Sequence, residues 1–205
     1  LLLANGVHRG FGGAALTRKE LLTLALGLEG HPDNGTASIL GGCTAAVPTP
    51  NDPGGEMAIV QPPVHESLAV AVAWPDTPLF TPEARAALPA TVAFPDAVEN
   101  PRRLALLLEG LRTGDARFLR LGVKDQLHEQ HRRALIQGSD AAVEAAYGAG
   151  AFAACLSGAG SGVVALGPVH AMGRVAAEMA ACLRGGQGKA VPIVRNSPTV
   201  EAQAP

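Results

Sequence analysis

Four hydrogen-bonding side chains fall within six residues at Glu29-Gly30-His31-Pro32-Asp33-Asn34, between an apolar helix and an apolar strand. Glu29 stands at the end of the predicted helix, where the partial charge is already negative, so a carboxylate there is unfavourable unless a cation lies nearby. It is either a solvated surface residue or a ligand for a metal or ammonium ion. Arg85 falls one turn into a predicted short helix that follows the apolar run 67–74. The plainer reading of Arg85 is a surface residue paired with Glu83 or a neighbour. Asp125, His128 and His131 recur three apart near one helical face, a spacing at which a metal set can be drawn. The stricter H-E-x-x-H order is absent there, and Glu129 points elsewhere. Finally, Ser157-Gly158-Ala159-Gly160-Ser161-Gly162 joins two apolar runs. Its glycines let backbone N–H groups approach an anion; by itself the pattern is also that of a flexible hairpin.

Local signals predict the elements that carry these residues. Thr17 and Glu20 form a T-x-x-E capping box, Leu21, Leu22, Leu24, Ala25 and Leu28 an apolar stripe, and Gly30 a left-handed C-cap. Residues 1–5 read as the second half of a helix, and 6–16, with Gly6, Gly10, Gly12 and Gly13 around His8 and Arg9, as a connector. Residues 43–47 are expected to form a short buried strand, 48–55 a surface loop, and 57–60 and 67–74 further strands. Pro62-Pro63 marks the break between domains. Thr81 is expected as the N-cap and Pro82 as the first residue of a helix that ends before Pro89. Helical pattern fills 96–150, interrupted at Pro101, Gly114 and Gly122. Strands at 151–156 and 163–166, a helix at 169–183 and a strand at 190–194 follow, and the tail 199–205 is expected to be disordered.

The chain has 205 residues, 47% hydrophobic and 17% charged, enough for a proper core as one large domain or two small ones. A net charge of −2 gives no footprint for nucleic acid or an anionic membrane. No apolar run is long enough to span a bilayer. Cys43, Cys155 and Cys182 are odd in number and far apart, as expected of reduced thiols in a cytoplasmic protein.

Glu29 to Asn34, followed by Ile39-Leu40-Gly41-Gly42, resembles the E-G-H-P-D-N…L-G-G signature of the homoserine kinases. These belong to the superfamily of galactokinase, homoserine kinase and mevalonate kinase. Thr81-Pro82-Glu83-Ala84-Arg85 resembles its T-x-E-A-R segment, residues 125–132 its D-x-L-H-x-x-x-R segment, and residues 157–162 the superfamily's S-G-A-G-P-S motif. The resemblance implies an α+β chain. Residues 1–62 would be the C-terminal part of an S5-like nucleotide-binding domain, 63–195 a ferredoxin-like α+β domain, and 196–205 a disordered tail. It implies transfer of phosphate from ATP with Mg2+ to the side-chain hydroxyl of L-homoserine, in threonine biosynthesis, by a cytoplasmic homodimer. By position, Glu29 would ligate magnesium. His31 and Asn34 would contact the substrate, with Asn34 nearest its hydroxyl and Asp33 supporting the turn. Arg85 and Arg132 would hold the carboxylate, and Ser157, Gly158, Ala159, Gly160 and Ser161 would face the phosphates.

Departures set further expectations. Gly35-Thr36-Ala37-Ser38 replaces a V-A-P-A type stretch and is expected to loosen the turn after Asn34. Ser161-Gly162 replaces Pro-Ser, which puts the loop's rigidity in question. The family's G-L-G-S-S-A phosphate loop is not in the sequence, so the 205-residue chain alone is expected to lack kinase activity and, with a sheet face bared, to aggregate or dimerise. Another kinase of the superfamily and a non-catalytic remnant that binds an amino acid or a partner subunit are the competing readings.

Overall fold

The computed structural model describes residues 4–5, 12–49 and 57–195. The expectations for 1–3, for 6–11 of the connector, for 50–56 of the surface loop and for the tail lie outside these residues. Two compact units are present, Leu1–Pro63 with Val194–Pro205, and Val64–Ile193.

In the first unit, helix α1 (Arg18–Glu29) opens on the capping box, with Glu20 N–H donating to Thr17 and the Glu20 carboxylate returning to Thr17 N–H. Gly30 closes it at φ +73, its N–H donating to Leu26 C=O. The stretch after Asn34 is helical rather than a loosened turn, forming α2 (Asp33–Leu40). The Gly-Thr-Ala-Ser departure has a physical reason. A Cβ on Gly35 would meet Ala25 Cβ at 2.9 Å, so glycine lets the two helices approach. Buried Thr36 returns its hydroxyl to Pro32 C=O at 2.8 Å. Leu21, Leu22, Ala25, Ile39 and Leu40 form the small core, with Met57 and Ile59 against it. The first strand, β1 (Ala45–Pro48), starts later than expected and is not buried, Val47 being 65% exposed. The Gly41-Gly42 turn, both residues at positive φ, uses up the chain before it. Among the described residues β1 pairs only with β2 (Met57–Val60), antiparallel.

The second unit runs β3 (Leu68–Trp74), α3 (Thr81–Ala86), α4 (Phe94–Thr113), α5 (Ala116–Gly122), α6 (Glu129–Arg133), α7 (Ser139–Gly148), β4 (Ala153–Leu156), β5 (Val163–Pro168), α8 (Met172–Ala181) and β6 (Gln187–Val191). A 3-10 turn, Val169–Ala171, precedes α8. The sheet order is β4-β5-β3-β6 with every neighbour antiparallel, the split β-α-β arrangement of a ferredoxin-like domain. Ala69, Ala71 and Ala73 of β3 and Ala165 of β5 line the core face with α7 and α8 residues such as Val143, Ala146, Val175 and Met179. Small side chains at these positions let the helices lie close to the sheet.

Three expectations fail here for stated reasons. Pro101 lies inside α4 and does not interrupt it. Losing one helical bond there is tolerated in a 20-residue helix held after the proline by buried Gly110 and Leu111 and just before it by the Asn100–Asp125 hydrogen bond. Phe80, not Thr81, is the N-cap of α3, because Pro82 has no N–H and fits early in the first turn, where donors are unsatisfied anyway. The last strand is Gln187–Val191, not 190–194, since Pro192 cannot donate to the ladder.

A crossing of α4 with α5 and a polar bridge then place α6. A Cβ on Gly110 would lie 2.7 Å from Leu119 N, and one on Gly122 would strike the backbone of Leu107. Beyond the crossing, Asn100 on α4 donates to Asp125 Oδ1 at 2.6 Å and accepts from Gln126 N–H. Asp125 Oδ2 in turn accepts the N–H groups of His128 and Glu129 at 2.7 Å, capping α6. Burial pushes the Asp125 carboxyl up, but the Glu129, His128 and Asn100 donors together outweigh it and hold it below its ordinary value.

Gly122→Ala should therefore cost roughly 2 kcal/mol by overpacking, seen as a fall in Tm of about 4–8 °C; an unchanged melting curve would show that the crossing can relax. A carboxyl depressed on folding stabilises fully above about pH 4 and loses that contribution as pH falls through the lowered value. Asp125→Ala should accordingly lose about 2 kcal/mol at pH 7 and be less acid-sensitive than the parent. Urea titrations at a series of pH values measure this, and equal acid sensitivity of the two proteins would contradict it.

Candidate active site

In the first unit, Glu29 is the last residue of α1, and Asp33 and Asn34 open α2 three and four residues later from its break at Gly30. Glu29 is exposed, the last turn of α1 has no basic residue, and nothing among the described residues pairs with it. The half-buried ring of His31 has its Nδ1 3.7 Å from Asp33 Oδ2, too far for a hydrogen bond. That nitrogen is buried and has no hydrogen-bond partner among the described residues. An unpaired carboxylate, an unpartnered imidazole nitrogen and an exposed amide at the start of a helix thus lie within six residues.

In the second unit, the structure gathers the other candidates around Arg132. Its Nε donates to Ala84 C=O at 3.3 Å, one residue before Arg85 on α3. Its Nη1 donates to Gly158 C=O at 3.4 Å, inside the glycine loop between β4 and β5. The loop is also tied to itself, Ser157 N–H to Gly162 C=O at 2.8 Å and Gly160 N–H to Ser157 C=O at 3.0 Å. These bonds hold it without the proline that the superfamily motif carries. Gly160 sits at φ +92, a backbone conformation in which any side chain would be strained. Ser161 lines a cavity of about 320 Å3 with Glu83, Ile136, Gln137 and Arg184. Arg85 is exposed, and its side chain is unengaged among the described residues.

Asp125, His128 and His131 do not form a metal set: Asp125 is spent on capping α6, and no three potential ligands cluster among the described residues. The cysteines are free, and burial, aided by the charge of Glu129, pushes the Cys155 thiol up to about 12, so it remains protonated and unreactive. No described helix is long and apolar enough to cross a membrane.

Sequence reasoning passed over Glu129. Its side chain is only 7% exposed, and its Oε1 accepts from Leu156 N–H and from Arg133 Nη2, each at 2.8 Å. The Glu–Arg spacing of four was visible; the bond to a strand 27 residues away was not.

Comparison with known proteins agrees with this architecture. Residues 107–184 match the family model for the C-terminal domain of GHMP kinases. The homoserine kinase of Trichormus variabilis is 40% identical over 181 residues, covering 87% of this chain and 58% of that protein. The crystal structure of homoserine kinase from Cytophaga hutchinsonii has a TM-score of 0.80 at 25% identity, over 93% of this chain and 62% of that one. The L. major mevalonate kinase, in complex with R-mevalonate, shares the fold at a TM-score of 0.65 and 17% identity, over 92% of this chain and 64% of its own. The chain spans a little over half the length of the first of these, a curated relative. Residues 107–184 thus resemble the C-terminal domain of GHMP kinases, in a chain similar to homoserine kinases over most of its length.

Proposed function

We propose that this chain belongs to an ATP-dependent kinase that phosphorylates the side-chain hydroxyl of L-homoserine, the substrate its relatives' name gives. The observation that carries this reading is the double attachment of Arg132, which brings the backbone next to Arg85 and the glycine loop to one guanidinium. With Nε and one Nη1 hydrogen committed, the remaining N–H groups of Arg132 form an outer edge able to take a carboxylate in bidentate fashion. Arg85, unengaged, supplies the second grip. Two cations would hold a short amino acid by its carboxylate and leave its hydroxyl at a defined place.

In the first unit, His31 and Asn34 offer groups able to orient a substrate hydroxyl, with Asp33 beside the imidazole. Phosphoryl transfer through a loose transition state depends on alignment and charge neutralisation, so a strong base is not needed. Ser157 to Ser161 offer backbone N–H groups and hydroxyls to the phosphates. For Mg2+, the exposed, unpaired carboxylate of Glu29 suits a hard cation that takes one protein oxygen and fills its other positions with phosphate and water. The ion would neutralise charge on the transferring phosphate. The family resemblance supports a homodimer, and three free cysteines support a reducing, cytoplasmic setting. The division of the chain near Pro63 supports assigning the first unit to nucleotide and substrate binding and the second to the ferredoxin-like domain.

The product of the complete reading frame should release ADP from ATP with L-homoserine, and not with mevalonate or galactose. Arg85→Ala should raise the homoserine KM about 10- to 100-fold with a smaller change in kcat. Turnover of mevalonate instead moves the activity within the superfamily, absence of turnover with any substrate favours the non-catalytic remnant, and an unchanged KM removes the carboxylate clamp.

A further inference from the structure

We propose that Glu129 is a positioning residue, whose buried carboxylate sets the glycine loop 157–162 by holding the last N–H of β4. The inference rests on the kinase reading for its consequence, though not for its geometry.

Among the described residues β4 is an edge strand, so every second N–H along its outer side lacks a strand partner there. Two side chains meet these donors. Ala154 N–H donates to the Tyr147 hydroxyl at 3.2 Å, and two residues on, Leu156 N–H donates to Glu129 Oε1 at 2.8 Å. The first shows that a neutral hydroxyl is sufficient to close this edge. A carboxylate at the second is a more demanding choice, because it is buried and must be compensated. Arg133 provides the compensation at 2.8 Å and is itself paired with Asp140 at 3.1 Å.

The location of the charged acceptor explains the choice. Leu156 is the residue immediately before Ser157, so its N–H is the last fixed point before the loop begins. Hydrogen bonds to an ionised acceptor are roughly twice as strong as neutral ones. Three residues along α6 from Glu129, Arg132 holds the loop again at Gly158 C=O. One turn of one helix therefore grips the chain on both sides of Ser157, with an acceptor at 129 and a donor at 132. α6 is in turn fixed by Asp125 and Asn100. A loop whose backbone N–H groups must meet phosphate oxygens needs this kind of preorganisation.

The test uses the product of the complete reading frame and three variants. Glu129→Gln keeps the shape and an acceptor but loses the charge, Glu129→Leu loses both, and Tyr147→Phe removes only the neighbouring edge cap. Hydrogen exchange at the Leu156 amide and the loop amides should quicken roughly tenfold in Glu129→Gln and further in Glu129→Leu. The β3 amides, residues 68–73, should stay as in the parent. The kcat should fall roughly tenfold in Glu129→Gln, with homoserine KM within about threefold, whereas Tyr147→Phe should keep kcat within about twofold. Parent-like loop exchange in Glu129→Gln overturns the proposal. So does a Tyr147→Phe defect as large as that of Glu129→Gln, which reduces the role to edge closure, and so does faster exchange spread evenly over β3. Should Glu129→Leu not fold, Glu129→Gln and Tyr147→Phe decide the matter. If the parent itself turns over no substrate, the kinase reading falls, and the exchange comparison still shows whether Glu129 holds the loop.

Discussion

A carboxylate taken out of water costs several kcal/mol unless its partners are fixed in place, and much of the second unit is built around meeting that condition at Glu129. Its acceptor oxygen takes one donor from the backbone of β4 and one from Arg133. Arg133 reaches it from one turn along the same helix, so the pair forms only if α6 is helical. α6 is short, five residues, and is far below the length at which a helix is stable by itself. Its stability comes from the Asp125 cap, which Asn100 holds from α4. The buried charge, the cap and the strand edge therefore require one another, and the glycine loop begins where they meet.

This polar arrangement depends on an apolar one that uses unusually small residues. Alanines along β3 admit α7 and α8 close to the sheet, and Gly110 and Gly122 let α4 and α5 cross at backbone distance. The close crossing carries the chain from α5 to the Asp125 turn beside Asn100. A larger residue at either glycine would push Asp125 away from its donor and leave the start of α6 uncapped. In the first unit Gly35 serves the same purpose on a smaller scale, bringing α2 against Ala25 and setting the turn that holds His31. Small residues thus determine where the polar ones stand.

What was readable in the sequence follows from how local each cause is. Thr17, Glu20 and Gly30 act within one turn of where they sit, so both ends of α1 were legible. The glycine loop between two apolar runs was legible for the same reason, and the ordering of Arg85 and Arg132 came from the family resemblance. The errors lie where distant packing outweighs local preference. Pro101 signals a break, but a long helix held by Gly110 and Leu111 beyond it and by the Asn100–Asp125 bond before it absorbs it. Gln187-Gly188-Lys189 does not look like a strand, yet pairing with β3 makes it one. Val47 looks buried in the sequence, but its strand has a single partner among the described residues and stays open. The role of Glu129 was hidden most completely, because its partner is a backbone N–H, which leaves no trace in side-chain spacing.

Arg132 shows why an arginine is needed at that point in the chain. A lysine has one compact ammonium and could reach Ala84 C=O or Gly158 C=O, with little left over for a ligand in a defined direction. The planar guanidinium divides its work: Nε and part of Nη1 tie α3 to the glycine loop, and the outer edge remains. On the proposed reading, the group that holds the substrate carboxylate is also the group that joins its helix to the phosphate loop. The acceptor hydroxyl and the phosphoryl donor are then aligned through one side chain, and a shift in either contact would misplace both.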